Sequence, residues 1–163
     1  MEHKIIDTNE VVIRFTGDSG DGMQLTGTLF ADASALYGNE ISTFPDYPAE
    51  IRAPQGTVAG VSGFQVHIGQ TEVKTPGDFC DVLVAMNPAA LKANAKWAKP
   101  GASIILDEDA FDEKGLEKAG FKTNDPIEEM NLKDYHIIWA PITTLTKESL
   151  KDSGLDNKSI VRS

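Results

Sequence analysis

Residues 17–22 read Gly-Asp-Ser-Gly-Asp-Gly, the one stretch of this 163-residue chain whose residue types and spacing together suggest chemistry. Glycine admits positive φ and lets a ligand approach the backbone closely. Residues 23–37 have helical periodicity, so amides of the loop and first turn face an anion with the helix dipole behind them. A phosphate or pyrophosphate is the fitting ligand. The pattern is G-x-x-G-x-G, not the G-x-G-x-x-G of dinucleotide sites. It also lacks the lysine of G-x-x-x-x-G-K-[ST], which argues against an ATP-hydrolysing loop. Asp18 and Asp21 would repel a phosphate if they pointed inward, and are equally suited to capping the helix. Their spacing does not match a calcium loop with its closing glutamate. A tight turn with no ligand is the competing reading.

A second candidate is Arg52 in Glu50-Ile51-Arg52. Its guanidinium is a rigid fork matched to phosphate or carboxylate. The structural alternative pairs it with Glu50 or Asp46 to pin a loop. The remaining reactive side chains do not assemble into a site by spacing. His3, His67 and His136 lack metal-ligand spacing. Cys80 has no basic neighbour in sequence, which fits a buried, inert thiol. Ser19 is not in a G-x-S-x-G elbow and has no visible triad. The sequence offers neither a catalytic acid–base pair nor a metal site.

The elements that must position these residues alternate between strand and helix. Residues 10–15 are a β-branched strand that stops where the glycine segment begins. The helix over 23–37 carries Leu25, Leu29, Ala33 and Leu36 on one face and only Asp32 as a charge, so most of its girth is expected to be buried. Gly38 ends it. A strand at 40–44 is stopped by Pro45, and 45–56 reads as a proline-rich functional loop. Residues 57–68 alternate as a long strand or hairpin arm, and 81–86 form a buried strand. Asn87-Pro88 is an N-cap followed by proline at the first helical position, with a helix to about Trp97. Lys99-Pro100-Gly101 turns the chain into a buried strand at 102–106, and Asp107-Glu108-Asp109 is a solvated turn. Trp97 and Trp139 fit packing roles. A strand at 135–140 and a helix at 143–151 close the pattern, which is that of a layered α/β domain. The chain reads as one domain, and its stretch 154–163 reads either as the approach to a helix that is cut off or as a frayed polar tail.

Composition bounds the function. Lys plus Arg is 15 against 25 Asp plus Glu, a net of −10, which disfavours nucleic acid and anionic membranes as partners. Residues 1–80 hold four cations, Lys4, Arg14, Arg52 and Lys74, against 11 acids, so each cation there is a candidate for a specific contact. A single cysteine argues against a disulfide framework or a cysteine-rich cluster. The opening Met1-Glu2-His3-Lys4 has no secretory apolar region, and no apolar run approaches a membrane span. A reducing, cytoplasmic setting is expected.

Two segments together carry a resemblance. Val12-Ile-Arg-Phe-Thr-Gly-Asp-Ser-Gly-Asp-Gly-Met-Gln24, followed by Phe44-Pro-Asp-Tyr-Pro-Ala-Glu-Ile-Arg52, resembles the gamma domain of 2-oxoacid:ferredoxin oxidoreductases. It is most similar to the form fused at the front of the 2-oxoglutarate enzyme's alpha subunit. Val84-Ala-Met-Asn-Pro88 and Trp139-Ala-Pro141 extend the resemblance over nearly the whole chain. It implies a swivelling, layered β/α domain with a glycine-rich loop between the first strand and first helix. It implies too a terminal helix beyond the equivalent of Ser163, so that this chain is one domain cut before its last helix and any following thiamine-binding domain. It also implies that the domain helps hold coenzyme A, with Gly17, Asp18, Ser19, Gly20, Asp21 and Gly22 at the pyrophosphate and Arg52 in the second segment. Thiamine diphosphate, magnesium and iron–sulfur clusters are implied on partner alpha and beta domains or subunits, with ferredoxin reached through the complex. Many relatives carry Gly-Gly-Gln-Gly here, and Asp18 and Ser19 depart from that pattern. The alternatives from other classes are an interaction module whose loop touches only a partner domain, and a free-standing nucleotide binder. The latter needs a ribose-binding acid at a strand end, for which Glu40 and Asp46 are the only neighbours.

Overall fold

The computed structural model describes residues 8–18, 22–38, 40–46, 61–69, 75, 77 and 79–151. In chain order the elements are β1 (Glu10–Asp18), α1 (Met23–Leu36), β2 (Glu40–Asp46), β3 (Val61–Gly69), β4 (Cys80–Ala85), α2 (Pro88–Asn94), β5 (Ala98–Asp107), α3 (Glu113–Lys118), α4 (Pro126–Glu129), β6 (His136–Ala140) and α5 (Ile142–Ser149). The strands form one sheet in the order β2-β3-β1-β4-β5-β6. Strands β1, β4, β5 and β6 are parallel neighbours. Strand β3 runs antiparallel between β1 and β2. The layered α/β expectation is met. The glycine-rich loop itself, at Ser19, Gly20 and Asp21, lies outside the described residues, as do Arg52 and the rest of the proline-rich segment 47–60.

The chain leaves β1 toward one edge of the sheet and β4 toward the other. Crossovers between parallel strands are right-handed, so their helices must lie on opposite faces. The core divides accordingly. Phe15, Met23, Ala31, Phe64, Val66 and Val84 pack on the α1 face. On the other face Leu83, Ala85, Leu91, Ile104, Leu106 and Leu132 pack around α2.

Several local expectations give way to tertiary context. Strand β1 does not stop at Phe15, because Thr16, Gly17 and Asp18 pair with Gly63, Ser62 and Val61 of β3. Pro45 does not end β2 but pairs with Phe64. Strand β2 is an edge, where proline's missing N–H costs no ladder bond. Lys99-Pro100-Gly101 is not a turn before a strand but part of β5. The register passes from Cys80↔Ala98 to Val82↔Ser103, so residues 99–102 stand opposite Asp81 alone. Asp81 holds this irregularity in place. One carboxylate oxygen accepts from Lys99 Nζ at 2.6 Å and the other from the Val12 amide at 2.9 Å. Helices α3 and α4 are additions, too short for a hydrophobic period to register. Each starts on an aspartate cap, with Asp112 accepting from Gly115 and Asp125 from Glu128.

Helix α1 has the predicted span and ends at Gly38, whose φ is 83°. Its orientation is the reverse of the expected one. Met23, Gly27 and Ala31 face the sheet, while Leu25, Leu29, Ala33 and Leu36 are exposed. The cause is Phe64. Its ring fills the space beside Gly27 so closely that a β-carbon there would lie 2.1 Å from Cδ1. Only the side of the helix that sets a glycine against this ring can approach the sheet.

Candidate functional site

The carboxyl ends of β1 and β4 define the crevice. These strands are adjacent and parallel, and their helices depart on opposite faces, which makes this the switch point where open α/β sheets bind ligands. The edge is tightly tied. Buried Thr16 donates its hydroxyl to the Val84 carbonyl at 2.9 Å. The Met86 amide in turn donates to the Thr16 carbonyl at 2.9 Å. Asn87 does two things. Its Oδ1 accepts from the Ala90 amide at 2.8 Å, capping α2 as the sequence predicted. Its Nδ2 donates to Asp18 Oδ1 at 3.1 Å, which joins the cap of α2 to the start of the glycine segment.

Three helices leave this edge, and their first turns differ. Helix α2 is capped by Asn87. At α5, Asp107 accepts from the Ile142 amide at 3.0 Å and the Thr143 hydroxyl at 2.8 Å, and Asp109 accepts from the Thr144 amide at 2.7 Å. Asp107 is only 1% exposed, so the expected solvated turn is in part a buried cap. Helix α1 starts on Gly22 at φ 70°, a conformation glycine adopts without strain. That residue brings no side chain to the helix end, and the first turn holds no carboxylate.

The strands on either side of the second candidate segment meet at the same edge. Asp46, where β2 ends, pairs with Gly63, and Val61, where β3 begins, pairs with Asp18. Asp46 and Val61, the described residues that flank segment 47–60, therefore stand at the end of β1 that carries Gly17 and Asp18. Glu40 stands at the opposite edge, paired with Gly69, and β3 separates β2 from β1. The carboxylate that a free-standing dinucleotide binder needs next to its glycine loop is not placed there by Glu40.

The residues read as structural occupy structural places. Cys80 is fully buried, with Sγ donating to the Trp97 carbonyl at 3.4 Å. Burial pushes its thiol up to about 11, and the nearby Arg14 guanidinium offsets only part of that. Arg14 donates to Asn94 Oδ1 at 3.1 Å and to Gln65 Oε1 at 3.2 Å, linking β1 to α2 and β3. His67 packs within the sheet, its Nε2 at 3.4 Å from a Glu10 carboxylate oxygen, and His136 is exposed at the β6 edge. Trp139 meets Phe111 edge to face at 5.3 Å. Among the described residues no cluster of His, Cys, Asp and Glu could hold a metal ion, and no helix is long and apolar enough to cross a membrane. Sequence reasoning missed Asn87 as a site residue. Its signal was the strand-ending Met86-Asn87-Pro88, read only as a helix cap.

The open six-stranded sheet with helices on both faces and a glycine at the start of α1 places the chain among the layered α/β domains. The family model described as pyruvate ferredoxin/flavodoxin oxidoreductase matches residues 12–161, and the chain belongs to that family. It is 51% identical over 148 residues to the 2-oxoglutarate oxidoreductase subunit KorA of Mycobacterium tuberculosis, a match covering 91% of this chain and 22% of that protein. It therefore spans under a quarter of the length of that relative. Among solved structures it resembles the 2-oxoglutarate:ferredoxin oxidoreductase of Magnetococcus marinus with 2-oxoglutarate, coenzyme A and succinyl-CoA bound, at TM-score 0.63 and 26% identity over 89% of this chain and 22% of that one. It also shares its fold with a keto/oxoacid ferredoxin oxidoreductase gamma subunit of Geobacter sulfurreducens, at TM-score 0.61 and 22% identity over 88% of this chain and 67% of that one.

Proposed function

We propose that this chain is a coenzyme A-binding and assembly domain of a 2-oxoacid:ferredoxin oxidoreductase, with 2-oxoglutarate the substrate of the whole enzyme. The observation that carries the reading is the 51% identity over 148 residues to a 2-oxoglutarate oxidoreductase subunit. The coenzyme A bound to the Magnetococcus enzyme supports the ligand assignment.

The residues present fit that ligand. The backbone amides of Gly17, Asp18, Ser19, Gly20, Asp21 and Gly22 would hold the pyrophosphate at the start of α1, where the cap carries no side chain and the first turn no carboxylate. The Asp18 carboxylate accepts from Asn87, so part of its charge is turned toward the cap of α2. Arg52 would supply a charge-assisted fork from the segment anchored beside Asp18. When bound, coenzyme A supplies the thiol that takes the acyl group. The chain's lone cysteine is buried against the Trp97 carbonyl, which does not fit a cluster needing several thiolates. Thiamine diphosphate, magnesium and the iron–sulfur clusters then belong to alpha and beta partners, and ferredoxin meets the complex.

The test uses the assembled enzyme. Gly20→Val should obstruct the backbone approach, and Arg52→Ala should raise the KM for coenzyme A roughly ten- to 150-fold, the equivalent of about 1.5–3 kcal/mol. Asp18→Asn should leave binding unchanged or slightly tighter. An unchanged KM with weakened subunit assembly would instead make the loop a docking element. The exposed apolar side of α1 supports docking on a partner whichever of the two the loop does.

A further inference from the structure

Helix α1 carries three leucines on the side turned away from the core that Met23, Gly27 and Ala31 face. Leu25 is 55% exposed, Leu29 58% and Leu36 89%, with Tyr37 beyond the last turn at 88%. Steps of four and seven residues place the three leucines in one stripe along the helix. Single exposed leucines are ordinary, but a contiguous stripe marks a contact surface. Asp32, also exposed and the one charged residue of α1, falls at helical spacing between Leu29 and Leu36 in that stripe.

We infer that this stripe docks on a different domain of the oxidoreductase assembly, through an apolar surface that sets a lysine or arginine opposite Asp32. Charge argues against a second copy as the occupant. A two-fold contact centred on the stripe would bring one Asp32 against the other, and would join two chains that each carry a net charge of −10. An apolar surface with a cation removes both penalties and turns Asp32 from an obstacle into a register mark. The inference rests on the assembly part of the proposed function and is independent of coenzyme A.

The test is photo-cross-linking in the assembled enzyme, with p-benzoylphenylalanine in place of Leu29. The expected product joins α1 to a peptide of another domain or subunit, and Asp32→Arg should cut its yield at least tenfold. A cross-link to α1 of a second copy overturns the inference. So does the absence of any cross-link in an enzyme whose other subunits co-purify, even if the KM for coenzyme A responds to Arg52→Ala as proposed. If no other subunits co-purify, both readings fail together.

Discussion

Asn87 is the residue on which the switch-point edge turns. Its side-chain amide serves a helix and a strand at once, capping α2 through Oδ1 and reaching Asp18 at the end of β1 through Nδ2. Replacing a cap asparagine with alanine costs about 1 kcal/mol. Asn87→Ala should therefore lower the unfolding free energy by that amount, read as a lower denaturant midpoint at unchanged slope. It should also remove the hydrogen bond that Asn87 gives the Asp18 carboxylate, leaving more negative charge at the glycine segment and weakening anion binding there. Asn87→Asp separates the two effects, because an aspartate keeps the cap but sets a second carboxylate against Asp18. Its stability should fall less than that of Asn87→Ala, while the KM for coenzyme A in the assembled enzyme should rise more. Cys80 gives a pH signature. Its folded value is raised from 9.0 to about 11, so the thiol ionises first in the unfolded chain. The stability it lends is complete below about pH 9 and is lost as pH rises from there to about 11. Alkaline denaturant titrations of wild type and Cys80→Ala should diverge in that window and run parallel below it.

At the scale of elements, the contact between α1 and β3 decides how the first helix lies. A β-carbon on Gly27 would fall 2.1 Å from Phe64 Cδ1 and 2.6 Å from its Cγ, so the ring must move. Gly27→Ala should destabilise by about 1–3 kcal/mol despite alanine's higher helix propensity. Adding Phe64→Leu should recover part of that loss, and strictly additive losses in the double variant would refute the packing argument. This contact also marks the limit of what was legible in the chain. The span of α1, its end at Gly38 and the Asn87 cap follow from local chemistry, and all three appear in the structure. The side of α1 that faces inward depends on a phenylalanine in a strand two elements later, which no window around the helix contains. The same holds for β1, whose strand character at Gly17 and Asp18 comes from pairing with β3. Residue 107 read as solvated because aspartate in a polar turn usually is. It is buried because the amides of α5, far along the chain, come to it. The glycine segment was legible as a candidate because spacing is local, whereas its tie to Asn87 needed the sheet.

At the scale of the whole molecule, the proposed role is to hold a ligand and a partner, with electron transfer left to other parts of the assembly. One cysteine, buried, cannot ligate a cluster. Purified alone, it should give no turnover of 2-oxoglutarate with a dye acceptor, and measurable turnover would overturn the domain reading. The place of β1 has a consequence of another kind, for the order in which the molecule comes together. Phe15 pairs with Phe64 on one side and Val84 on the other, both remote in sequence. By contrast β4, α2 and β5 follow one another closely and build one core between themselves. Distant pairings must meet the entropy of loop closure before they gain anything, so the central strand of the finished sheet is among the last to be enclosed. Ile104→Val should then slow folding in stopped-flow traces, while Val66→Ala should chiefly hasten unfolding. Until β1 arrives, β4 presents an unpaired apolar margin, and a nascent chain is most at risk of sticking to its neighbours along that margin.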